Sequence, residues 1–377
     1  MSASGAALTP AQRDLLAAAR ADDEQAYRRL VEPHRGELHA HCYRMLGSVH
    51  DADDALQEAL LRAWRGLGGF EGRSSLRSWL YRIATNTCLD LIGRRPKRVL
   101  PVDHVPSADP AEGPGEPLVE SVWVEPYPDA ELGVEDGFAA PEARYERRES
   151  VELAFIAALQ HLPALQRAVL ILREVLGFSA REVAHTLETS TAAVNSALQR
   201  ARATVEERLP ERSQQATLRS LGDDELRAIV DGYVQAWERG DVDAVVGMLA
   251  EEAALAMPPL ASWFRGREAI GAFLRGWPLS GRWRWRHLHA RANGQAALGC
   301  YSWDERSGDY RPFALEVLSF EGRHIAEITA FVTRAAEAPE REVYAEWPEQ
   351  PLDPGRLAAD FERFGLPPRY EQHAASG

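Results

Sequence analysis

A multidomain chain, with two all-α blocks followed by an α+β domain, is predicted by three features of this sequence. Apolar side chains recur at helical spacing through residues 9–98, a helix-turn-helix pattern begins at Ser179, and strand-like alternation takes over from Trp283. The 377 residues suit two to three domains. At about 150 residues per domain, each is large enough to bury a core.

Composition excludes several classes. No window offers the ~20 uninterrupted apolar residues of a membrane span, and MSASGAALTPAQRD lacks the basic start and apolar run of a secretory signal. A cytoplasmic protein with no membrane partner is therefore expected. Cys42, Cys88 and Cys300 are too sparse for a metal knuckle or a disulfide framework and read as buried thiols. The net charge of −14 opposes DNA binding by the free protein, since Lys and Arg contacts to phosphate supply most non-specific affinity. Basic residues nevertheless gather at Arg73–Arg98 and Arg200–Arg219. That pattern suits a subunit that meets DNA inside a larger machine.

The first block covers 9–98. Asp51, Asp53, Asp54, Gln57 and Glu58 alternate with Ala55, Leu56, Ala59, Leu60 and Ala63, giving a helix with one acidic and one apolar face. FEGRSSLRSWLYRIATN follows, from Phe70 to Asn86. Gly72, Ser74 and Ser75 make an adaptable loop whose hydroxyls and amides can meet phosphate or base edges, and Trp79, Leu80, Ile83, Ala84 and Cys88 anchor the next helix.

These runs resemble the sigma-70 superfamily of RNA polymerase subunits, in particular its extracytoplasmic-function group. DADDALQEALLRAW is similar to the family's polymerase-binding helix. The resemblance implies that Asp51, Asp53, Asp54, Gln57 and Glu58 engage a coiled coil of core RNA polymerase. It also places Phe70, Ile83 and Asn86 where the family captures a flipped base of the −10 element. Extrusion costs a few kcal/mol of unstacking, which an apolar wall and an amide recover. Arg73, Arg77 and Arg82, with Ser74 and Ser75, would hold the promoter DNA backbone.

Residues 99–140 are acidic and punctuated by Pro and Gly, with no sustained period, and read as a linker. Within them SVWVEPYPD, Ser121–Asp129, suggests a docked segment, in or near a polymerase channel. The second block, 141–212, opens with the apolar stripe Leu159, Leu162, Leu165, Val169, Leu170, Leu172 and Val175. Ser179-Ala-Arg-Glu182 is a capping box, and Glu188-Thr189 makes the turn into a second helix. That helix turns Val194, Ala197, Leu198, Ala201 and Val205 inward. Thr191, Asn195, Ser196, Gln199, Arg200 and Arg202 are left outside, where they can reach base edges and phosphates in a major groove. By resemblance this is the sigma domain that reads the −35 element.

The third block, 220–335, begins with an amphipathic helix over Asp223–Arg239, a second over Val242–Leu249 and a third from Gly266. ALAMPP reads as a strand. Trp283, Trp285, His287 and His289 alternate with Arg284, Arg286 and Leu288 at period two, and further strand-like runs occupy Ala296–Trp303, Pro312–Phe320 and His324–Val332, with Ser307-Gly308-Asp309 and Glu321-Gly322-Arg323 as hairpin turns. Three helices against a curved antiparallel sheet resemble the SnoaL-like, nuclear-transport-factor-2-like α+β cone. Such a cone leaves room for a small-molecule ligand. Asp231, Asp304, Glu316 and Glu327 are the acids to inspect, with His287 and His289 as bases, although no motif assigns them a role. No third ligand accompanies the two histidines, so no metal, no cofactor and no catalytic residue are expected. A tail, 336–377, carries FERFGLPPRY.

The expected protein is thus a sigma factor of the extracytoplasmic-function type, not an enzyme, that directs core RNA polymerase to particular promoters. Its cone would act in cis in place of a separate inhibitor. Two alternatives are a bifunctional protein whose cone is a small-molecule cyclase, isomerase or hydrolase, and a repressor that never joins polymerase.

Overall fold

The computed structural model describes residues 8–72, 74–115, 123–132, 148–210, 212–305, 307–332 and 354–370. They divide into two compact units. One comprises Met1–Arg98 with Glu131–Pro210, the other Val99–Ala130 with Glu211–Gly377.

Unit one begins with α1 (Pro10–Arg20), α2 (Glu24–Val31), α3 (Arg35–Leu46), α4 (Val49–Gly66) and α5 (Leu76–Ile92). Side-chain caps start four of them: Thr9 on α1, Asp23 on α2, Ser48 on α4 and Ser75 on α5 each accept from an amide in the first turn. Gly47, with φ +70°, ends α3 in the left-handed region. Leu38, Tyr43, Met45 and Tyr81 are fully buried between α3, α4 and α5. Cys42 and Cys88 are free, buried thiols, and Cys88 hydrogen-bonds Cys42.

Four further helices complete this unit: α6 (Leu153–Gln160), α7 (Ala164–Leu170), α8 (Ala180–Thr186) and α9 (Thr191–Glu206). A π-helical turn, Ile171–Val175, extends α7. Leu165, expected on the apolar stripe, is instead 47% exposed, because α7 turns Ala168, Val169 and Leu170 into the core. Buried polar groups fasten this block to the first. The Arg167 guanidinium donates to the carbonyls of Met45, Gln160 (3.1 Å) and Leu162 (3.2 Å) and to Gln160 Oε1. Arg44 donates to Ser150 O (3.0 Å) and Oγ (2.8 Å), and Gln160 Nε2 to Arg44 O (3.3 Å). The Gln160 side chain lies 3.0 Å from where a Cβ on Gly47 would stand, so that glycine serves the packing as well as the turn. Leaving such a buried group unpaired costs about 1–3 kcal/mol.

Unit two is built on a six-stranded sheet in the order β2-β1-β6-β5-β4-β3. The strands are β1 (Leu249–Ala256), β2 (Trp263–Arg265), β3 (Trp285–Ala292), β4 (Gln295–Asp304), β5 (Asp309–Glu321) and β6 (His324–Val332). All pairs are antiparallel except β1 with β6. Irregularities at Cys300/Tyr301 and Ser319/Phe320 add local bend. The helices are α10 (Gln214–Leu221), α11 (Asp223–Glu238), α12 (Val242–Gly247) and α13 (Arg267–Gly276). Tyr233 and Trp237 of α11 and Ile270 and Phe273 of α13 join Leu298, Leu318 and Ile328 of the sheet in one apolar core. Helix α10 was not legible as a separate element; its Gln214 bridges to Phe320 by N–H and C=O bonds of 2.7 and 3.2 Å.

Two segments outside the cone dock on it. In the tail, α14 (Pro354–Arg363) and the residues after it lie on the sheet face opposite Cys300. Phe361 packs edge-on to Tyr301, Tyr301 Oη donates to Pro367 O (2.9 Å), and Leu366 fills the space where Gly299 has no Cβ. The second segment is 99–130, which the sequence reads as linker. Trp263 Nε1 donates to Val105 O (2.7 Å) and Ala108 N–H to Trp263 O (2.8 Å). Tyr127 and Asn293 exchange two bonds, Tyr127 N–H to Asn293 Oδ1 (2.9 Å) and Asn293 N–H to Tyr127 O (2.8 Å). Asp129 holds the Gly294 amide (2.7 Å). Val99 bridges to Trp123, and Val124 N–H donates to Val99 O (3.0 Å).

His41 in α3 is fully buried, with Nε2 2.9 Å from Thr85 Oγ1, and desolvation pushes its pKa down to about 3. The unfolded chain takes up this proton as pH falls below about 6.5, whereas the fold does not until about 3. Stability is therefore lost across that window. In His41→Gln the melting temperature is expected to fall less between pH 7 and pH 5 than in the parent; equal slopes contradict a neutral buried imidazole.

Candidate nucleic-acid interface

Helix α4 starts at the Ser48 cap and turns its apolar positions, Ala52, Ala55, Leu56, Ala59 and Ala63, into the bundle. The opposite face carries Asp53, Asp54 and Gln57, which are exposed, and Glu58, which is half-buried. Asp53 pairs with His39 (3.0 Å), Asp54 lies 3.8 Å from Arg95, and Glu58 takes Arg62 (2.7 Å). Asp51 departs from this set. It is buried at 6% exposure, paired with Arg98 at 2.6 Å and with Arg95, and ties the segment after α5 back to the start of α4. Its place in the first helical turn, beside two cations, draws the carboxylate inward.

Phe70 is buried against Trp79, ring centroids 5.0 Å apart. One face along from it, Ile83 is half-buried and Asn86 exposed on α5. Ser74 is exposed, while Ser75 caps α5 through the Ser78 amide (3.1 Å). Arg82 is half-buried, and Arg73 lies outside the described residues. Arg77 is held internally: its Nε donates to Glu37 (2.9 Å), and its guanidinium lies over the Tyr81 and Phe178 rings at 4.8 and 5.2 Å. Burial pushes the Glu37 carboxyl up, but the His34 hydrogen bond and the Arg77 guanidinium together bring it below its ordinary range.

In the second block the capping box forms as spaced. Ser179 N–H donates to Glu182 Oε2 (2.8 Å) and Glu182 N–H to Ser179 Oγ (3.2 Å). Glu188, with φ +51°, makes the turn, and Ser190 caps α9. Val194, Ala197, Leu198, Ala201 and Val205 are buried. Thr191, Asn195, Ser196, Gln199, Arg200 and Arg202 are all exposed on the opposite face, Arg202 pairing with Glu174 at 2.8 Å. A wet, polar helix face of this kind, presented after a sharp turn, is what entry into a major groove requires.

The cone encloses an aromatic cavity whose wall includes Trp237, Phe273, Trp277, Trp283, Trp285 and Phe313. Of the acids singled out, Glu316 alone lies in this wall; Tyr233 Oη donates to it (3.2 Å), and burial pushes its carboxyl up to about 7. Asp231 faces solvent and pairs with His289 (2.8 Å), Asp304 accepts from Ser307 in the β4–β5 turn, and Glu327 accepts from Thr329. His287 and His289 do not act together. His287 is buried, and its near neighbours are Cys300 and Glu316, which sequence reasoning did not join to it.

Three family models match the chain: Sigma-70 region 2 over residues 30–98, Sigma-70 region 4 over 152–205, and the SnoaL-like domain over 230–329. The ECF RNA polymerase sigma factor SigG of Mycobacterium tuberculosis is 44% identical over 308 residues, 80% of this chain and 80% of that one. SigM of the same organism is 34% identical over 190 residues, 50% of this chain and 80% of its own. The crystal structure of M. tuberculosis SigJ, an extracytoplasmic-function sigma factor, superposes with a TM-score of 0.49 at 21% identity, covering 79% of this chain and 94% of that one. Among the described residues no helix is long and apolar enough to cross a membrane. With both sigma regions on their own helical blocks and a cone beyond them, the chain belongs to the extracytoplasmic-function sigma factors of RNA polymerase and carries a C-terminal SnoaL-like domain.

Proposed function

We propose that this sigma factor rests in a closed state held in cis by its SnoaL-like domain and engages a promoter once its connector is released. The observation that carries the reading is the docking of the described residues of 99–130 on the cone, at Val105, Tyr127 and Asp129, with Val99 against Trp123. The two DNA-reading blocks are packed together in unit one, where Tyr81 of α5 lies 5.4 Å from Phe178, the residue before the Ser179 cap. Elements centred at −10 and −35 are about 25 base pairs apart, or about 85 Å of duplex at 3.4 Å per step. Unit one must open to reach both. Extended, residues 99–130 can span about 105 Å at about 3.3 Å per residue, whereas the Val99–Trp123 contact removes 99–123 from that reach.

In the open complex Asp53, Asp54, Gln57 and Glu58 face core polymerase, with Asp51 as the internal anchor of that helix. Phe70, Ile83 and Asn86 receive the flipped −10 base, which requires the Phe70–Trp79 contact to loosen. Ser74, Ser75, Arg73 and Arg82 lie along the backbone, joined by Arg77 when Phe178 moves away. Thr191, Asn195, Ser196, Gln199, Arg200 and Arg202 read the −35 element. The protein acts on DNA in the cytoplasm. The cone is a regulator rather than a catalyst: Glu316 is bonded to Tyr233, and neither ring nitrogen of His287 has a partner to polarise it.

Asn293 has φ +55°, so Asn293→Gly keeps the backbone conformation while removing the acceptor of the Tyr127 amide. The loss of about 1–3 kcal/mol from the docked connector is expected to raise promoter-dependent transcription in vitro about 5- to 100-fold where release is limiting. Unchanged output contradicts the clamp. Charge reversal at Asp54 and Glu58 together is expected to abolish copurification with core polymerase without lowering the melting temperature; retained binding sinks the assignment of that face.

A further inference from the structure

His287, Cys300 and Glu316 stand on three adjacent strands, β3, β4 and β5, and point to the same side of the sheet. His287 is the direct cross-strand partner of Cys300, and Glu316 is opposite Leu298, one inward position along. One ligand atom from each lies within 4.8 Å of the other two. The His287 side chain is fully buried, and neither ring nitrogen has a hydrogen-bond partner. An imidazole desolvated in this way, with nothing to satisfy it, is costly unless something else occupies its lone pair.

We propose that His287, Cys300 and Glu316 are a three-residue site for a divalent cation of the zinc type, its fourth position open to the aromatic cavity. The donor set carries the choice of metal. Thiolate with imidazole selects a borderline-soft ion over magnesium or calcium, and one carboxylate completes a common zinc set. Tetrahedral bonds of 2.0–2.3 Å place donors about 3.3–3.8 Å apart, so the cluster contracts by about 1 Å on binding. Glu238 supplies the outer support. Its Oε1 accepts from the His287 amide (2.9 Å) and lies 4.0 Å from Nδ1, so a small ring shift lets Nδ1–H donate to it and leaves Nε2 for the ion. Cys300 and Glu316 both line the cavity. Two indole donors of the same wall, Trp237 Nε1 and Trp283 Nε1, are buried without partners and can hold an anionic or carbonyl group on the fourth position. The ion would join β3, β4 and β5 where the strand bends, at Cys300/Tyr301.

The test uses the full chain. After equilibration with Zn2+ and exhaustive dialysis, elemental analysis is expected to find one equivalent in the parent and essentially none in Cys300→Ser or His287→Gln. Co2+ is expected to give a thiolate-to-metal charge-transfer band in the parent that Cys300→Ser removes. Glu238→Gln, which leaves all three ligands, is expected to weaken zinc 10- to 100-fold with an unchanged circular dichroism spectrum. Zinc retained equally by parent and Cys300→Ser overturns the site. So does a cobalt band that survives Cys300→Ser, which would belong to Cys42 and Cys88 in the other unit. None of these readouts depends on transcription, so they stand or fall apart from the clamp.

Discussion

The constraint on which the molecule turns is one backbone contact in the segment that follows the first promoter-reading block, where Val99 lies against Trp123. In the proposed clamp, docking this segment shortens the reach available between the two promoter-reading blocks. What holds it is the cone, through the Trp263 indole, the Asn293 amide and the Gly294 N–H. The first two meet backbone groups of the connector, at Val105 and Tyr127, whereas the Gly294 N–H donates to the Asp129 carboxylate, so Asp129 is a side chain this docking requires.

Unit one is closed by a complementary device. Arg44, Gln160 and Arg167 are buried and satisfy carbonyls at the end of α3 and around α6. Desolvation lowers the Arg167 pKa to about 10, which leaves it charged at neutral pH. A network of this kind is strong while complete and costly when half-made, so it separates cleanly rather than by degrees. The same logic applies to Arg77, which Glu37 and the Tyr81 and Phe178 rings hold together.

Much of this was legible in the sequence because it is local. The Ser179–Glu182 spacing announces a helix start, the α9 face separates into buried and wet positions at the predicted residues, and β3 alternates through Trp285 and His287, whereas β4 is buried without a break from Gln295 to Tyr301. What escaped depends on partners far along the chain. Asp51 looks like its acidic neighbours until Arg95 and Arg98 are brought beside it. Leu165 looks like core until the direction of α7 is known. The segment 99–130 lacks any period because its order comes from Trp263 and Asn293, more than 150 residues away. His287 shows no companions in sequence, since Cys300 and Glu316 reach it only through the pairing of β3, β4 and β5.

The most direct measurement of the central claim is a distance. Spin or fluorescent labels on the exposed position Leu61 of α4 and on Ala203 of α9 report the separation of the two sigma regions, first in the free protein and then with core polymerase and promoter DNA. A compact distance is expected in the free chain, lengthening by several tens of ångströms in the complex. A distance that stays the same on promoter binding, or one already long in the free protein, contradicts that claim.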